Sequence, residues 1–223
     1  MLRAARIIAA KDLRLSALSG ASMVQALLLG LLLIFLFSLA ADGSAPVTPL
    51  GAATIFWLAS AFCQTLIFNA LHALEEGNGQ RQGLLLAPVP IQAVWLGKAA
   101  AGFVLLLALQ AIFFPAMAVF LRQAPVHSLL PALAALLLTD LGIAASGSLI
   151  GALAQGQSSR ESLAAILLFP LLAPLLLAGI RTLAPAFSGE LFDASWLGLA
   201  AAFDAIFLAA ALVLFPFVYG DDG

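Results

Sequence analysis

Apolar residues fill the chain in six long runs, and short polar stretches separate the runs. A helix that crosses a bilayer needs about 20 mostly apolar residues. The predicted spans cover residues 23–41, 51–74, 97–121, 129–154, 162–183 and 196–219. The runs are rich in Leu and Ala and lack the alternation of a transmembrane β-strand. The pattern predicts an all-α integral membrane protein with six transmembrane helices, forming one membrane domain over residues 1–223.

The first run could instead be a cleaved signal peptide, because basic residues precede it. Its apolar part is longer than the roughly 7–15 residues of a typical signal peptide. We therefore expect it to be retained as a span.

Basic residues are distributed unevenly between the two sides of the membrane. With the N-terminus inside, the outer segments hold only Arg122 and Arg181, and the cytoplasmic segments hold Arg3, Arg6, Lys11, Arg14, Arg81, Lys98 and Arg160. The positive-inside rule then places both termini in the cytoplasm. The first four basic residues fall within an arc of about 140° on a helix. They predict a cytoplasmic amphipathic N-terminal helix on the membrane surface, although charges that only fix the topology explain the same residues.

Composition supports the membrane assignment and excludes several classes of function. Hydrophobic residues make up 64% of the chain and charged residues 9%, against roughly 25% charged residues in a soluble domain. The net charge of −2 argues against nucleic-acid binding. The lone Cys63 excludes an internal disulfide and a multi-cysteine metal site. His72 and His127 are predicted on opposite membrane faces, so they cannot share a metal, but either could ligate a haem.

Polar side chains inside the spans are functional candidates, because lipid offers them no partner. Asp140 lies near the middle of the fourth span. It either lines a polar pathway or bonds to neighbouring helices. Gln64 and Gln110 are expected to form hydrogen bonds between helices.

Glycine and proline mark two of the spans. Gly147 and Gly151 in the fourth span predict close helix packing, and this face could meet a homodimer partner or another subunit. Pro170 and Pro174 in the fifth span each remove a backbone donor. They predict a kink or a hinge in that helix.

The predicted cytoplasmic loop, residues 75–96, is the most informative segment. It begins acidic and glycine-rich, could form a short helix around residues 79–86, and then turns at prolines. An exposed leucine cluster at a membrane face needs protein or lipid to cover it. The candidates for contact with an ATPase are Glu75, Glu76, Gly79, Gly83, Leu84, Leu85, Leu86, Pro88 and Lys98. A loop half-immersed in lipid headgroups is the alternative.

No nucleotide-binding or hydrolase motif occurs in the sequence. A catalytic activity within this chain is therefore not expected, and any ATP-driven work requires a partner chain.

The chain resembles the CcmB family, the permeases of the cytochrome c maturation ABC transporter. Residues 84–90 with Lys98, residues 11–14, and residues 169–175 carry the resemblance. Gln82 departs from related permeases, which often have an acidic residue there. The resemblance implies an ABC export permease-like bundle in the bacterial inner membrane. It also implies a CcmA-like ATPase, CcmC-like and CcmD-like membrane proteins, and a CcmE-like haem chaperone as partners.

The predicted function is that of a non-catalytic permease subunit acting in haem delivery. It would couple ATP hydrolysis to haem export or to release of the haem-loaded chaperone. Haem would be cargo or a relayed ligand, and no bound cofactor or metal is expected. The alternatives are a generic ABC export permease for lipid, glycan or drug, and a stand-alone secondary transporter.

Overall fold

The computed structural model describes residues 1–41, 46–75, 80–124, 126–154 and 158–220, with side chains except at 19, 80, 81, 85, 158–169 and 220. Over these residues the chain is helical and contains no strand. The helices are α1 (Leu2–Ser19), α2 (Ala21–Ala40), α3 (Pro49–Ala73), α4 (Gln80–Leu86), α5 (Ile91–Phe120), α6 (Leu129–Ala154), α7 (Ser158–Ser188) and α8 (Ser195–Gly220). The all-α prediction is confirmed.

Within the described residues, six helices are long and apolar enough to cross a membrane, namely α2, α3, α5, α6, α7 and α8. Five of the predicted spans begin within four residues of these helices. The third does not, because α5 begins at Ile91 and the predicted loop extended to residue 96. Pro90 occupies the N-cap position, and the residues after it continue the helix. The apolar-run criterion located only the part of α5 beyond Gly97.

Both described chain ends lie at one end of the bundle, which we call the N-terminal end. There, Tyr219 near the end of α8 contacts Glu75 just after α3, and Lys98 of α5 reaches Leu71 of α3. At the opposite, far end, the His127 backbone N–H donates to Ala186 of α7 at 2.8 Å. The placement of the termini in the cytoplasm stays a prediction.

The α1 helix packs one face against α5. Ala5, Ile8 and Asp12 belong to its buried face. Gly97 of α5 allows this approach, because a Cβ there would lie 2.8 Å from Ile8 and 2.9 Å from the Ala5 carbonyl. The predicted N-terminal helix is present, and its apolar face packs on protein. Arg3, Arg6 and Arg14 lie on its exposed side.

Glycines of α6 receive large side chains from the same chain. A Cβ on Gly147 would lie 2.5 Å from the Phe68 ring, and one on Gly151 would lie 2.8 Å from His72. Gly102 of α5 contacts the other side of the Phe68 ring. The predicted close packing is therefore present, and it joins α3, α5 and α6 within one bundle.

Candidate functional site

The segment between α3 and α5 contains the exposed apolar residue that the sequence singled out. Leu86 at the end of α4 is 86% exposed, Gly83 and Pro88 are exposed, and Leu84 is half-buried. Glu76 and Gly79 lie outside the described residues, as does the side chain of Leu85. A leucine this exposed beside a membrane is typical of a contact surface.

The two residues that flank this segment, Glu75 and Lys98, form an ion pair with each other. The Lys98 Nζ lies 2.9 Å from Glu75 Oε1 and donates to the Leu71 carbonyl at 2.7 Å. Both side chains are fully buried. Burying a charge is costly unless it is paired and hydrogen-bonded. The pair therefore holds the C-terminal end of α3 against the first turns of α5, and the α4 segment is connected to both.

Two residues of α1 complete the charge balance around this pair. Asp12 is fully buried, with Oδ2 3.6 Å from Lys98 Nζ. Lys11 Nζ lies 2.9 Å from Asp12 Oδ1 and 3.3 Å from Glu75 Oε1. Two cations thus face two anions, and no described member of the group is left without an opposite charge.

The balance of effects on Lys11 shows how strongly its neighbours bind it. Burial is the largest single effect and lowers the pKa of Lys11. The hydrogen bond to Asp12 and the attraction of Asp12 and Glu75 together outweigh it, so the pKa is raised above 10.5. Lys11 therefore stays charged at physiological pH.

Tyr219 connects the last helix to the same group. Its hydroxyl donates to Glu75 Oε2 at 2.6 Å, and its ring stacks on Phe215 with centroids 5.1 Å apart. We call Lys11, Asp12, Glu75, Lys98 and Tyr219 the ion cluster. It joins α1, α3, α5 and α8 at the N-terminal end.

A neighbouring set of hydrogen bonds extends this junction to α6. The Trp95 indole N–H donates to the Ala145 carbonyl at 3.2 Å, and the Ser148 hydroxyl donates to the Trp95 carbonyl at 3.3 Å. Both bonds are buried. The first turns of α5 are therefore fixed to α6 as well as to α1, α3 and α8.

Sequence reasoning found part of the ion cluster. It selected Glu75 and Lys98 as loop residues for contact with an ATPase, whereas the structure buries both. It named Lys11 as a basic residue and included Lys11 and Asp12 in the stretch that carries the resemblance, but it assigned neither to a site. Tyr219 was missed, although it is the only tyrosine of the chain.

The predicted intramembrane residues lie together in a second place, near the middle of the bundle. Gln110 of α5 donates to Asp140 of α6 at 2.8 Å and to Ser60 of α3 at 3.2 Å. Gln110 thus forms the bonds between helices that were expected of it, and for Asp140 the bond matches the second of the two alternatives. Gln64 is fully buried, but its amide has no hydrogen-bond partner among the described residues, so the bond expected of it is absent there.

Other candidates lie apart from both groups. Pro170 and Pro174 are inside α7, which continues from Ser158 to Ser188, so the proposed hinge stays a prediction. His72 is buried near the N-terminal end, with Nδ1 3.0 Å from the Phe68 carbonyl. His127 lies at the far end. Within the described part of the chain, no three His, Cys, Asp or Glu residues are grouped to hold a metal ion.

Comparison with known proteins gives one result of wide coverage. A family model described as CcmB protein matches residues 3–221. No curated protein sequence matches the chain. The match covers the described helices, except for the first residue of α1, and both polar groups described above.

Proposed function

The chain belongs to the CcmB family, and we propose that it transmits the motion of a partner ATPase to the membrane-spanning helices through the ion cluster. CcmB proteins are permease components of haem-exporting ABC transporters and act with other components of the cytochrome c maturation system. The chain is accordingly a multi-pass membrane protein of that system.

One observation carries the proposal. The segment with exposed Leu86 is connected at one end to Glu75 and at the other, through α5, to Lys98, and these two side chains bind each other. A push on α4 therefore acts on α3 and α5 at the same point. Because Glu75 also binds Tyr219 and Lys11, the displacement passes to α8 and α1.

The partner in this proposal is a CcmA-like ATPase that covers Leu86 from the cytoplasm. The basic residues at the N-terminal end of the bundle support that sidedness, because Arg3, Arg6, Lys11 and Arg14 lie there. In a bacterium the membrane would be the inner membrane. CcmC-like and CcmD-like proteins and a CcmE-like chaperone would complete the assembly.

The proposed output is release of haem or of a haem-loaded chaperone at the far end. In the described residues the two histidines lie at opposite ends of the bundle, so they do not form a pair of axial ligands. This favours a role in transmitting motion, with haem as cargo or as a relayed ligand.

Co-purification tests the docking step. A tagged Leu86→Asp variant should lose the ATPase that the unaltered protein captures in mild detergent, because a carboxylate would be buried in the contact. Leu191→Asp is the matched control, since Leu191 is 98% exposed but lies in the loop before α8 at the far end. If both variants lost the ATPase equally, or if Leu86→Asp retained it, docking at α4 would be contradicted.

A further inference from the structure

A group of polar side chains lies in the middle of the bundle, far from the ion cluster. Trp57, Ser60 and Gln64 recur every three or four residues, so they share one face of α3. Gln110 of α5 and Thr139 and Asp140 of α6 face them, and all six are at most 3% exposed. Asp140 and Gln110 are ten or eleven residues, roughly 15 Å, from the far-end termini of their helices. We call these six residues the central polar cluster.

Most polar atoms of this cluster lack a partner. Among the described residues, no hydrogen bond reaches Trp57 Nε1, Gln64 Nε2, Gln64 Oε1, Gln110 Oε1, Thr139 Oγ1 or Asp140 Oδ2. Buried polar groups in folded proteins nearly always have a partner, and ordered water is one of the usual ones. Six such atoms on three packed helices indicate a bound ligand.

Two of these atoms meet at a glycine of α7. The position of a Cβ on Gly179 would be 2.8 Å from Thr139 Oγ1 and 3.0 Å from Trp57 Nε1. Any larger residue at position 179 would be too close to both atoms. The indole N–H and the hydroxyl therefore both lie close to Gly179, within one small region of the bundle.

The mixture of donors and acceptors selects the class of ligand. Trp57 and Gln64 present N–H donors, Gln64, Gln110 and Asp140 present oxygen acceptors, and a hydroxyl does both. A bare cation would satisfy only the oxygens and would face the N–H groups unfavourably. An anion would satisfy only the donors. Water donates two hydrogen bonds and accepts two, so it matches the whole set.

We propose that the central polar cluster encloses bound water, which makes it a hydrated site inside the membrane-embedded part of the permease. Phe68 closes this site towards the N-terminal end. It lies on the same face of α3, one turn beyond Gln64, and its ring is held between Gly102 and Gly147. The Phe68 ring, packed closely against these two glycines, therefore separates the water from the ion cluster.

Hydroxyl-radical footprinting of the purified full-length protein in lipid nanodiscs tests the proposal, since radicals formed from bound water modify adjacent side chains. The chain provides its own control. Trp57 and Trp95 are both buried, but the Trp95 N–H donates to a backbone carbonyl, whereas Trp57 has no such partner among the described residues. Trp57 should be modified several-fold faster than Trp95. Equal protection of the two would mean a dry site and would overturn the proposal.

A pair of threonine variants tests whether the water contacts the cluster itself. Thr139→Val removes an unpartnered hydroxyl without a large change in shape, and it should slow the modification of Trp57. Thr182→Val is the control, because the Thr182 hydroxyl already donates to the Ala178 carbonyl at 2.7 Å. An unchanged Trp57 rate in Thr139→Val, or an equal fall in both variants, would count against water held by Thr139 and Trp57.

Discussion

The ion cluster and the central polar cluster are both buried and polar, but they satisfy their groups differently. In the ion cluster, two lysines face two carboxylates, and Tyr219 and the Leu71 carbonyl supply hydrogen bonds. In the central polar cluster, the described side chains of α3, α5 and α6 form few hydrogen bonds with one another. The first group balances its charges within the chain, whereas the second leaves six buried polar atoms to the proposed water.

This difference separates two physical roles. A buried charge pair resists the removal of either partner, because the remaining charge stays in a poorly solvated place. Such a pair can hold moving helices together. A set of unpartnered dipoles holds nothing firmly by itself. It is suited to water, whose bonds rearrange when the helices shift.

The largest expected effect comes from breaking the buried pair on one side. Lys98→Met should lower the free energy of unfolding by roughly 3–5 kcal/mol, because two buried carboxylates would then face Lys11 as their only cation among the described residues. Thermal unfolding can be followed with a thiol-reactive dye, since Cys63 is the chain's only cysteine and is buried.

Lys11→Met is the matched control for this first prediction. The Lys11 side chain is 37% exposed, whereas that of Lys98 is fully buried. Solvent can compensate part of its loss, so the expected cost is only about 0.2–1 kcal/mol. Equal destabilisation by the two variants would remove the distinction between the buried pair and its half-exposed neighbour.

A smaller loss of stability is expected when the Tyr219 hydroxyl, which connects α8 to Glu75, is removed. Tyr219→Phe keeps the stacking on Phe215 but removes the bond to Glu75, at a cost of about 1.5–3 kcal/mol for a hydrogen bond to a charged group. The cost should shrink when Glu75→Gln is already present, because the acceptor is then uncharged. A cost that is the same in both backgrounds would show that the charge of Glu75 does not strengthen this bond.

Substitution of a glycine that contacts the Phe68 ring should change the stability by a similar or smaller amount. Gly147→Ala places a methyl group against the Phe68 ring and should destabilise the protein by about 1–3 kcal/mol. Phe68→Leu in the same chain should recover part of that loss. Gly198→Ala is the control, because no atom lies near its Cβ position, and it should stabilise α8 by roughly 0.5–1 kcal/mol.

The smallest expected effect is a pH dependence from Lys11. Its pKa is raised in the folded protein above 10.5, so the folded state holds the proton more tightly. The resulting stabilisation is fully present below pH 10.5 and is lost as the pH rises through the folded pKa. Melting curves recorded from neutral to strongly alkaline pH should therefore show an extra loss of stability in the unaltered protein. Lys11→Met should not show this loss. Parallel curves would contradict the raised pKa.

The sequence predicted the helices well because a membrane span is a local property. Each span is one long apolar run with a polar stop, and the observed helices follow these runs. The start of α5 was placed six residues too late, although five of the six residues from Ile91 to Leu96 are apolar. The loop was predicted to extend to residue 96, whereas it ends at Pro90, the N-cap residue of α5.

The candidate sites were predictable only in part, because they depend on distant residues. Glu75 and Lys98 could be selected from a loop pattern, but their burial depends on Asp12 of α1 and Tyr219 of α8, which are remote in the sequence. Gln110 was expected to bond between helices, and its partner is Asp140, for which such bonding was one of two alternatives. The unpartnered state of Gln64 follows from how three helices pack, and no local pattern encodes it.

The most direct test of the central claim compares ATP hydrolysis with output in the assembled transporter. In Lys98→Met, and more mildly in Tyr219→Phe, the ATPase should still co-purify, because exposed Leu86 is unchanged. The amount of haem or haem-loaded chaperone released per ATP hydrolysed should fall, because the ion cluster no longer transmits the motion of α4. An unchanged yield per ATP in folded variants would contradict the proposed role of the ion cluster.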